Sequence, residues 1–545
     1  MKPLLPSLHQ DTFTRSSLPP APLWPQLLDP PAGLHYPDRL NAANALLDDH
    51  IAAGHGQRLA LRGAGQIWTY AQLQTRVDQI AWVLRHDWQL PSGSRVLLRG
   101  YNHPMLAACW LAVIKAGCVA VTTMPLLRER ELTVLADKAQ VNAALCEQEL
   151  LAPWLAARQA SGRDDRSCPT LGYGSGGELE AAMARHHQPF ASVHTSQDDV
   201  ALIAFTSGTT GVPKGTLHFQ RDLLLIADVL AHHLLNPQPN DVFIGTPPLA
   251  FTFGLGGLLV FPMRVGACSV LEPAWTPETL LQGIALHRAT ICFTAPTFYR
   301  KMAGQAQNSS LASLRHAVSS GEMLPADTRA QWAAATGLEL TECLGSTEML
   351  HAFIGCRPHE VRAGATGRVV PGYLACILNE LGQPLPPGQI GRLAVRGPTG
   401  CRYLNDERQT SYVQHGWNLT GDAYLMDADG YYWYQSRTDD MIISAGYNIA
   451  GPEVEDVLLT HPLVAECGVV GAPDAERGQV VMAFVVLKQA HPDPAQLTRE
   501  LQDYIKAQLA PYKYPRSIRF VPQLPRTENA KLQRYLLRRW AQDQT

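Results

Sequence analysis

Short apolar runs alternate with amphipathic stretches over most of the chain. In RVLLRGYNHPMLAACWLAVIKAGCVAVTTMP (residues 95–125) the run at 96–98 predicts a strand, the stretch through Met105, Trp110 and Ile114 a helix, and the run at 119–121 a second strand ending at a turn. Such a succession implies parallel strands with helices laid on the sheet. The alternation resumes at VNAALC, DVALIAFTSG, DVFIGTPPL, ATICFTAP and SLRHAVSSGE.

Two stretches break the pattern. The proline-rich opening to about Pro37 reads as an extended arm, and the polar, glycine-rich QASGRDDRSCPTLGYGSGGE (159–178) as a mobile surface loop. After about residue 435 the texture changes. YYWYQSRTDDMIISAGYNIAGPEVEDVLL predicts a hairpin leading into a helix, and VVMAFVVLK, SIRFVPQLP and the basic LQRYLLRRWAQ complete a compact α+β unit. The expected fold is therefore α/β: a large N-terminal domain of mixed and parallel sheets flanked by helices, followed by a small mobile α+β domain. The boundary is expected near SRTDD, giving domains 1–436 and 441–545 about a hinge at 437–440.

Composition narrows the setting. A chain of 545 residues exceeds one ordinary core. The net charge of -3 gives no general attraction to nucleic acid or anionic lipid. The 11 cysteines are scattered without a C-x-x-C pair, as expected of reduced thiols in a cytoplasm. The start lacks the apolar core of a signal peptide, and no run is long enough to span a membrane, so a cytoplasmic protein is expected. His186 with His187, and His232 with His233, lack zinc-ligand spacing and are read as surface.

The candidate chemistry begins at FTSGTTGVPKG (205–215), behind the apolar run DVALIAF. Its glycines tolerate positive φ, so successive N–H groups can converge on an anion. Thr206, Ser207, Thr209 and Thr210 add hydroxyls beside Gly208 and Gly211, and Lys214 adds a point charge suited to phosphate. An ordinary P-loop requires G-K-[ST] opening a helix. Here Pro213 precedes Lys214 and Gly215 follows it, which excludes that pattern.

TSGTTGVPKG resembles the phosphate-loop signature of the adenylate-forming enzymes, the superfamily of acyl-CoA synthetases, luciferases and peptide-synthetase adenylation domains. GSTE (345–348), TGD (420–422), SRTDD (436–440) and PRTENAKLQR (525–534) match in the family's order, over nearly the whole chain. The resemblance implies a reaction using ATP, Mg2+ and coenzyme A. It implies that Glu348 is the magnesium ligand, with Thr347 near the α-phosphate, a role a hard carboxylate oxygen suits. It places Ser320, Gly321, Glu322, Glu342, Cys343 and Leu344 along the adenine slot, Gly345 and Ser346 among the nucleotide-binding residues, and Asp422 and Arg437 at the ribose. Leu344 stands where many relatives carry an aromatic.

Lys531 resembles the family's catalytic lysine, a cation that would offset the meeting of carboxylate and α-phosphate. Ala530 replaces the glycine usual before it. Asp439 falls at the family's hinge. SAGYNIAGPEVE (444–455), with Gly446 and Tyr447, would face the site when coenzyme A reacts, and Asn448 stands where some relatives have arginine.

For the acid, PPLAFTFGLGG (247–257) and LGSTEMLH (344–351) are the expected walls: Phe251 and Phe253 as flat faces, Thr252 as a hydroxyl, Gly254 and Gly256 leaving space beside them, and His351 closing the far end. Glu348 is the only carboxylate in these stretches, which disfavours an α-amino acid. GSTEMLHAFIGCRPHEVRAGATGRVVPGY and SAGYNIAGPEVEDVLL resemble the benzoate-CoA and 2-aminobenzoate-CoA ligase branch, and DTFTRSSLPP with WPQLL the 2-aminobenzoate group. The expected partners are a small aromatic acid, ATP and CoA. A carrier-protein phosphopantetheine as acceptor, or a non-catalytic nucleotide-binding relative, stays open.

Overall fold

The computed structural model describes residues 3–206, 213–306, 310–438, 440–444, 447–474, 477–509, 512–526 and 532–542; at Ile443, Tyr447 and Asn448 the description is of the backbone alone. Among the described residues the strands form four sheets. A six-stranded sheet runs Thr170–Tyr173, Ala143–Glu147, Arg95–Arg99, Val119–Thr123, Val200–Thr206, Lys214–Phe219. It is parallel except for its last pair, an antiparallel hairpin. A nine-stranded sheet holds parallel strands Val242–Gly245, Cys268–Val270, Ile291–Thr294, His316–Ser319 and Leu340–Gly345 at its centre, with antiparallel pairs toward both edges.

The helix Pro104–Lys115 explains how these two sheets are held together. Every one of its residues is buried and all but Lys115 are apolar, so it needs cover on all sides. It packs on Arg95–Arg99 and Val119–Thr123 of one sheet and on Leu59–Gly63 of the other. Its start is sharply defined: Pro104 occupies the first turn and the His103 ring accepts the Met105 N–H at 2.9 Å.

A third, antiparallel sheet is built from Leu374–Leu378, Ile390–Arg396, Trp417–Met426, Val413–Gln414 and Tyr432–Arg437. The next strand, Ile442–Ser444, already belongs to a fourth sheet with Tyr447–Ile449, Gly478–Leu487, Val464–Asp474 and Ser517–Phe520. That sheet has its own apolar clusters, one around Val454, Val469, Val485 and Leu501 and another around Phe484 and Leu537. The change of sheet thus falls between Arg437 and Ile442, at the polar stretch expected from the sequence.

Three expectations are corrected. Within 159–178, Thr170–Tyr173 is an edge strand rather than loop; it pairs with Ala143–Glu147, and Tyr173 is buried with its hydroxyl donated to the Arg99 carbonyl at 3.3 Å. Glycines around it hid a strand too short to show periodicity. The opening arm is tied down: the Leu5 N–H donates to Asp198 Oδ2 at 2.9 Å, and Trp24 is buried. His186 is also buried, its ring stacked on Trp82 and its Nε2 3.1 Å from Asp87, whereas His232 is exposed.

The third sheet is stitched to the first by residues 401–404. The Leu217 N–H donates to the Arg402 carbonyl and the Leu404 N–H to the Gly215 carbonyl, both at 2.8 Å. The Arg402 guanidinium then pairs with Asp222 at 2.5 Å, both side chains fully buried. Breaking one half of such a pair strands a charge in the interior. Arg402→Met is expected to destabilise the protein by about 3–5 kcal/mol, read as a lowered denaturant midpoint.

Candidate active site

The strands Val200–Thr206 and Lys214–Phe219 pair with Thr206 opposite Lys214. The glycine-rich stretch therefore joins two antiparallel strands, unlike the strand-to-helix turn of a P-loop. Ser207, Gly208, Thr209, Thr210 and Gly211 lie outside the described residues. At the mouth, Thr206 Oγ1 is buried and has no partner among the described residues. An unsatisfied buried hydroxyl costs free energy unless a ligand meets it.

Lys214 Nζ stands 3.9 Å from Glu348 Oε1. Glu348 is buried, and its Oε1 accepts the Tyr403 hydroxyl at 2.5 Å. It is held by a compact turn after Leu340–Gly345. A Cβ on Gly345 would lie 2.6 Å from the His351 carbonyl, so only glycine allows the chain to fold back there. The Thr347 carbonyl accepts His218 Nε2 at 2.9 Å; burial pushes His218 down to about 4, so the ring is a neutral donor. Ser346 Oγ lies 3.2 Å from the Tyr412 hydroxyl.

Among the residues expected at the adenine, Ser320 Oγ donates to the Cys343 carbonyl at 2.7 Å, and Gly321 has φ 92°, a region that favours glycine. The Glu342 carboxylate lies 3.2 Å from Arg329 on the helix Ala326–Thr336, and burial raises it to about 7. The Glu342 side chain is thereby committed to Arg329. Cys343 is buried and Leu344 packs half-buried on the main core. Asp422 and Arg437 face each other across Trp417–Met426 and Tyr432–Arg437, with Nη1 donating to Oδ1 at 2.8 Å.

On the acid side, His351 is 3% exposed and sits against Phe253 (ring centroids 5.7 Å) and Phe261 (4.8 Å). Phe253 in turn meets Phe293 edge-on at 5.4 Å. Burial holds His351 down to about 4, and its Nδ1 has no partner among the described residues. Phe251 is half-buried and Thr252 buried at the start of the helix Thr252–Leu255. The space expected beside the two glycines is filled: a Cβ on Gly254 would fall 2.1 Å from the Pro248 carbonyl, and one on Gly256 2.4 Å from the His351 ring. These glycines let helix, turn and imidazole approach closely.

A clamp that nothing in the sequence marks lies under that turn. Asn102 donates to the Pro247 carbonyl at 2.9 Å and accepts the Leu249 N–H at 2.8 Å, and Thr122 donates to the Ala250 carbonyl at 3.0 Å. Asn102 and Thr122 belong to the six-stranded half, so they tie residues 247–250 to the sheet that carries Lys214. Tyr403, Tyr412, His218, Phe261 and Phe293 were likewise missed, because nothing local marks a side chain whose role comes from a distant neighbour.

Lys531, Ala530, Asp439 and Gly446 lie outside the described residues, and Tyr447 and Asn448 are placed by backbone only. Arg526 and Leu532 form an antiparallel bridge. Arg526 reaches Glu322 at 3.9 Å and Glu466 at 2.7 Å.

Residues 48–403 match the AMP-binding enzyme family, and 453–531 match the AMP-binding enzyme C-terminal domain. The chain belongs to the AMP-binding enzyme family. It is 34% identical to a benzoate–CoA ligase of Thauera aromatica over 93% of this chain and 97% of that protein. The solved structure of the anthranilate CoA ligase AuaEII with anthranoyl-AMP superposes with TM-score 0.87 at 30% identity, covering 93% and 98% of the two chains. A benzoate CoA ligase from Burkholderia xenovorans LB400 gives TM-score 0.83 at 30% identity, covering 92% and 100%. The chain is an enzyme, an AMP-forming acid–CoA ligase, and as a family member takes an acid, ATP and CoA. Among the described residues no helix is long and apolar enough to cross a membrane.

Two outcomes follow from this geometry. Gly254→Ala forces a Cβ against backbone carbonyls that cannot rotate away, and should cost about 1–3 kcal/mol in denaturant unfolding while raising KM for the acid. His351 titrates near 4 when folded and near 6.5 when free, so the unfolded chain takes up its proton first as pH falls through 6.5. Its contribution to stability therefore declines on acidification. Thermal midpoints at pH 7.5 and pH 5 should drop further for the wild type than for His351→Gln.

Proposed function

We propose that the protein activates a small aromatic carboxylic acid, of the benzoate or 2-aminobenzoate type, first as its acyl-adenylate and then as its CoA thioester. The observation that carries this reading is the neutral, buried His351 among Phe253, Phe261 and Phe293. An α-ammonium group would meet no counter-charge on that wall, whereas a flat ring stacks on it and a neutral ring amine can use the Thr252 hydroxyl or the free His351 nitrogen. The benzoate and anthranilate ligases among the relatives support the same class.

In this reading Lys214 and the 206–211 hydroxyls and amides grip the phosphates, Asp422 and Arg437 hold the ribose, and Ser320 to Glu322 with the backbone of Glu342 to Ser346 line the base. The metal fit is favourable. A lone buried carboxylate such as Glu348 suits Mg2+, which keeps waters and takes phosphate oxygens as further ligands. Magnesium, when bound, offsets phosphate charge. Thr347 presents its hydroxyl beside the α-phosphate.

The acid carboxylate attacks the α-phosphorus, pyrophosphate leaves, and Lys531 offsets the charge that two anions bring together. The Arg526 contact with Glu322 supports Lys531 reaching that point. We further assign domains 1–436 and 441–545, turning about 437–440 with Asp439 as pivot, so that Gly446 and Tyr447 replace Lys531 when CoA thiolate displaces AMP. The 11 free cysteines, all but Cys376 buried, support a cytoplasmic setting.

Acid-dependent ATP–pyrophosphate exchange over a panel of acids tests this. Benzoate and 2-aminobenzoate should exceed acetate and phenylalanine by at least about a hundredfold in kcat/KM; preference for an aliphatic or amino acid overturns it. Lys531→Ala should lower exchange on the order of a hundredfold or more, yet still convert synthetic acyl-AMP and CoA to thioester.

A further inference from the structure

Lys214 and Glu348 are near enough to attract, yet their 3.9 Å separation leaves them short of a direct hydrogen-bonded ion pair. What surrounds them is aromatic. Lys214 Nζ lies 5.1 Å from the Tyr403 ring centroid and 5.9 Å from that of Tyr412, and the two rings meet edge to face at 5.7 Å. The Tyr403 hydroxyl meanwhile donates to the Glu348 oxygen that faces Lys214.

Backbone pairing puts Tyr403 there. It bridges Thr216, and bridged residues of an antiparallel pair share a face, as do residues two apart on one strand. The Tyr403 ring is therefore on the same face as Lys214, while Arg402 points the other way to Asp222. The segment is held from behind as well: the Tyr403 N–H donates to Gln409 Oε1 at 2.9 Å, and Gln409 Nε2 returns a bond to the Cys401 carbonyl at 3.2 Å. Tyr403 is fully buried. So placed, it cannot swing aside.

We propose that Tyr403 is a positioning residue of the phosphate end: its hydroxyl fixes Glu348 in one orientation with the second oxygen left for the metal, and its ring, with that of Tyr412, seats the Lys214 ammonium. This rests on the reading of Glu348 as the metal ligand. Without Tyr403, Lys214 closes on Glu348, and the cation meant for phosphate and the carboxylate meant for metal cancel each other. The tyrosine pair thus keeps the site organised before nucleotide arrives, a form of electrostatic preorganisation.

Tyr403→Phe keeps the ring and removes the hydroxyl; Tyr403→Leu removes both. The measurement is binding of Mn2+ in the presence of ATP, read by electron paramagnetic resonance of free Mn2+, beside ATP binding in EDTA by calorimetry. Tyr403→Phe should weaken Mn2+ about tenfold, the loss of one hydrogen bond to a charged group, and leave metal-free ATP binding unchanged. Tyr403→Leu should weaken both; if it fails to fold, the near-isosteric phenylalanine carries the test alone. Wild-type Mn2+ affinity in Tyr403→Phe, or an equal loss with and without metal, overturns the proposal. Glu348→Gln separates the two layers: unchanged Mn2+ affinity there overturns the metal reading and this proposal with it, whereas a loss there and none in Tyr403→Phe overturns the positioning role alone.

Discussion

Lys214 and Glu348, 3.9 Å apart, stand where three sheets meet. Lys214 begins the last strand of the six-stranded sheet, Glu348 follows the Leu340–Gly345 strand of the nine-stranded sheet, and Tyr403 lies on the segment leading into the third. Opposite charges at this distance collapse together unless something holds each in place. The neutral His218 on the Thr347 carbonyl, the Tyr403 hydroxyl on Glu348 and the buried Arg402–Asp222 pair are that restraint. A site of this kind gives up folding stability to keep a cation and a carboxylate from closing on each other.

The same demand explains the layering. The groups proposed for the phosphates and for the acid are carried on different sheets and must not drift, since reacting groups misplaced by about 1 Å lose much of their rate. The fully buried helix Pro104–Lys115 and the Asn102 and Thr122 bonds to residues 247–250 lock the two sheets together. The fourth sheet approaches the same region through the ion pair of Arg526 with Glu322 and the packing of the helix Gly451–Leu459 on the strand Tyr432–Arg437.

Electrostatics divides the site into two environments. Around Lys214, Glu348, Asp422 and Arg437 charges face one another across a few ångströms. Around His351 the surroundings are aromatic, and burial keeps even the imidazole uncharged. A molecule with an anionic end and a flat apolar end fits such a gradient in one orientation only.

The alternation of apolar runs and amphipathic stretches, and the ordered motifs from TSGTTGVPKG to PRTENAKLQR, determined the α/β class, the change of texture near residue 437 and the family, because strand and helix periods and phosphate-loop chemistry are local properties. The strand Thr170–Tyr173 escaped for the converse reason: four residues among glycines carry no period, and only pairing with Ala143–Glu147 makes them a strand. Glycines 254 and 256 show the same limit, since whether a missing side chain leaves room or admits a neighbour depends on atoms far off in the chain. Tyr403, Asn102 and His218 acquire their roles from partners 55, 145 and 129 residues away, contacts that exist only once the sheets are stacked. Sequence alone could name the charges of the site; tertiary structure decided what keeps them apart, because that depends on distance in space.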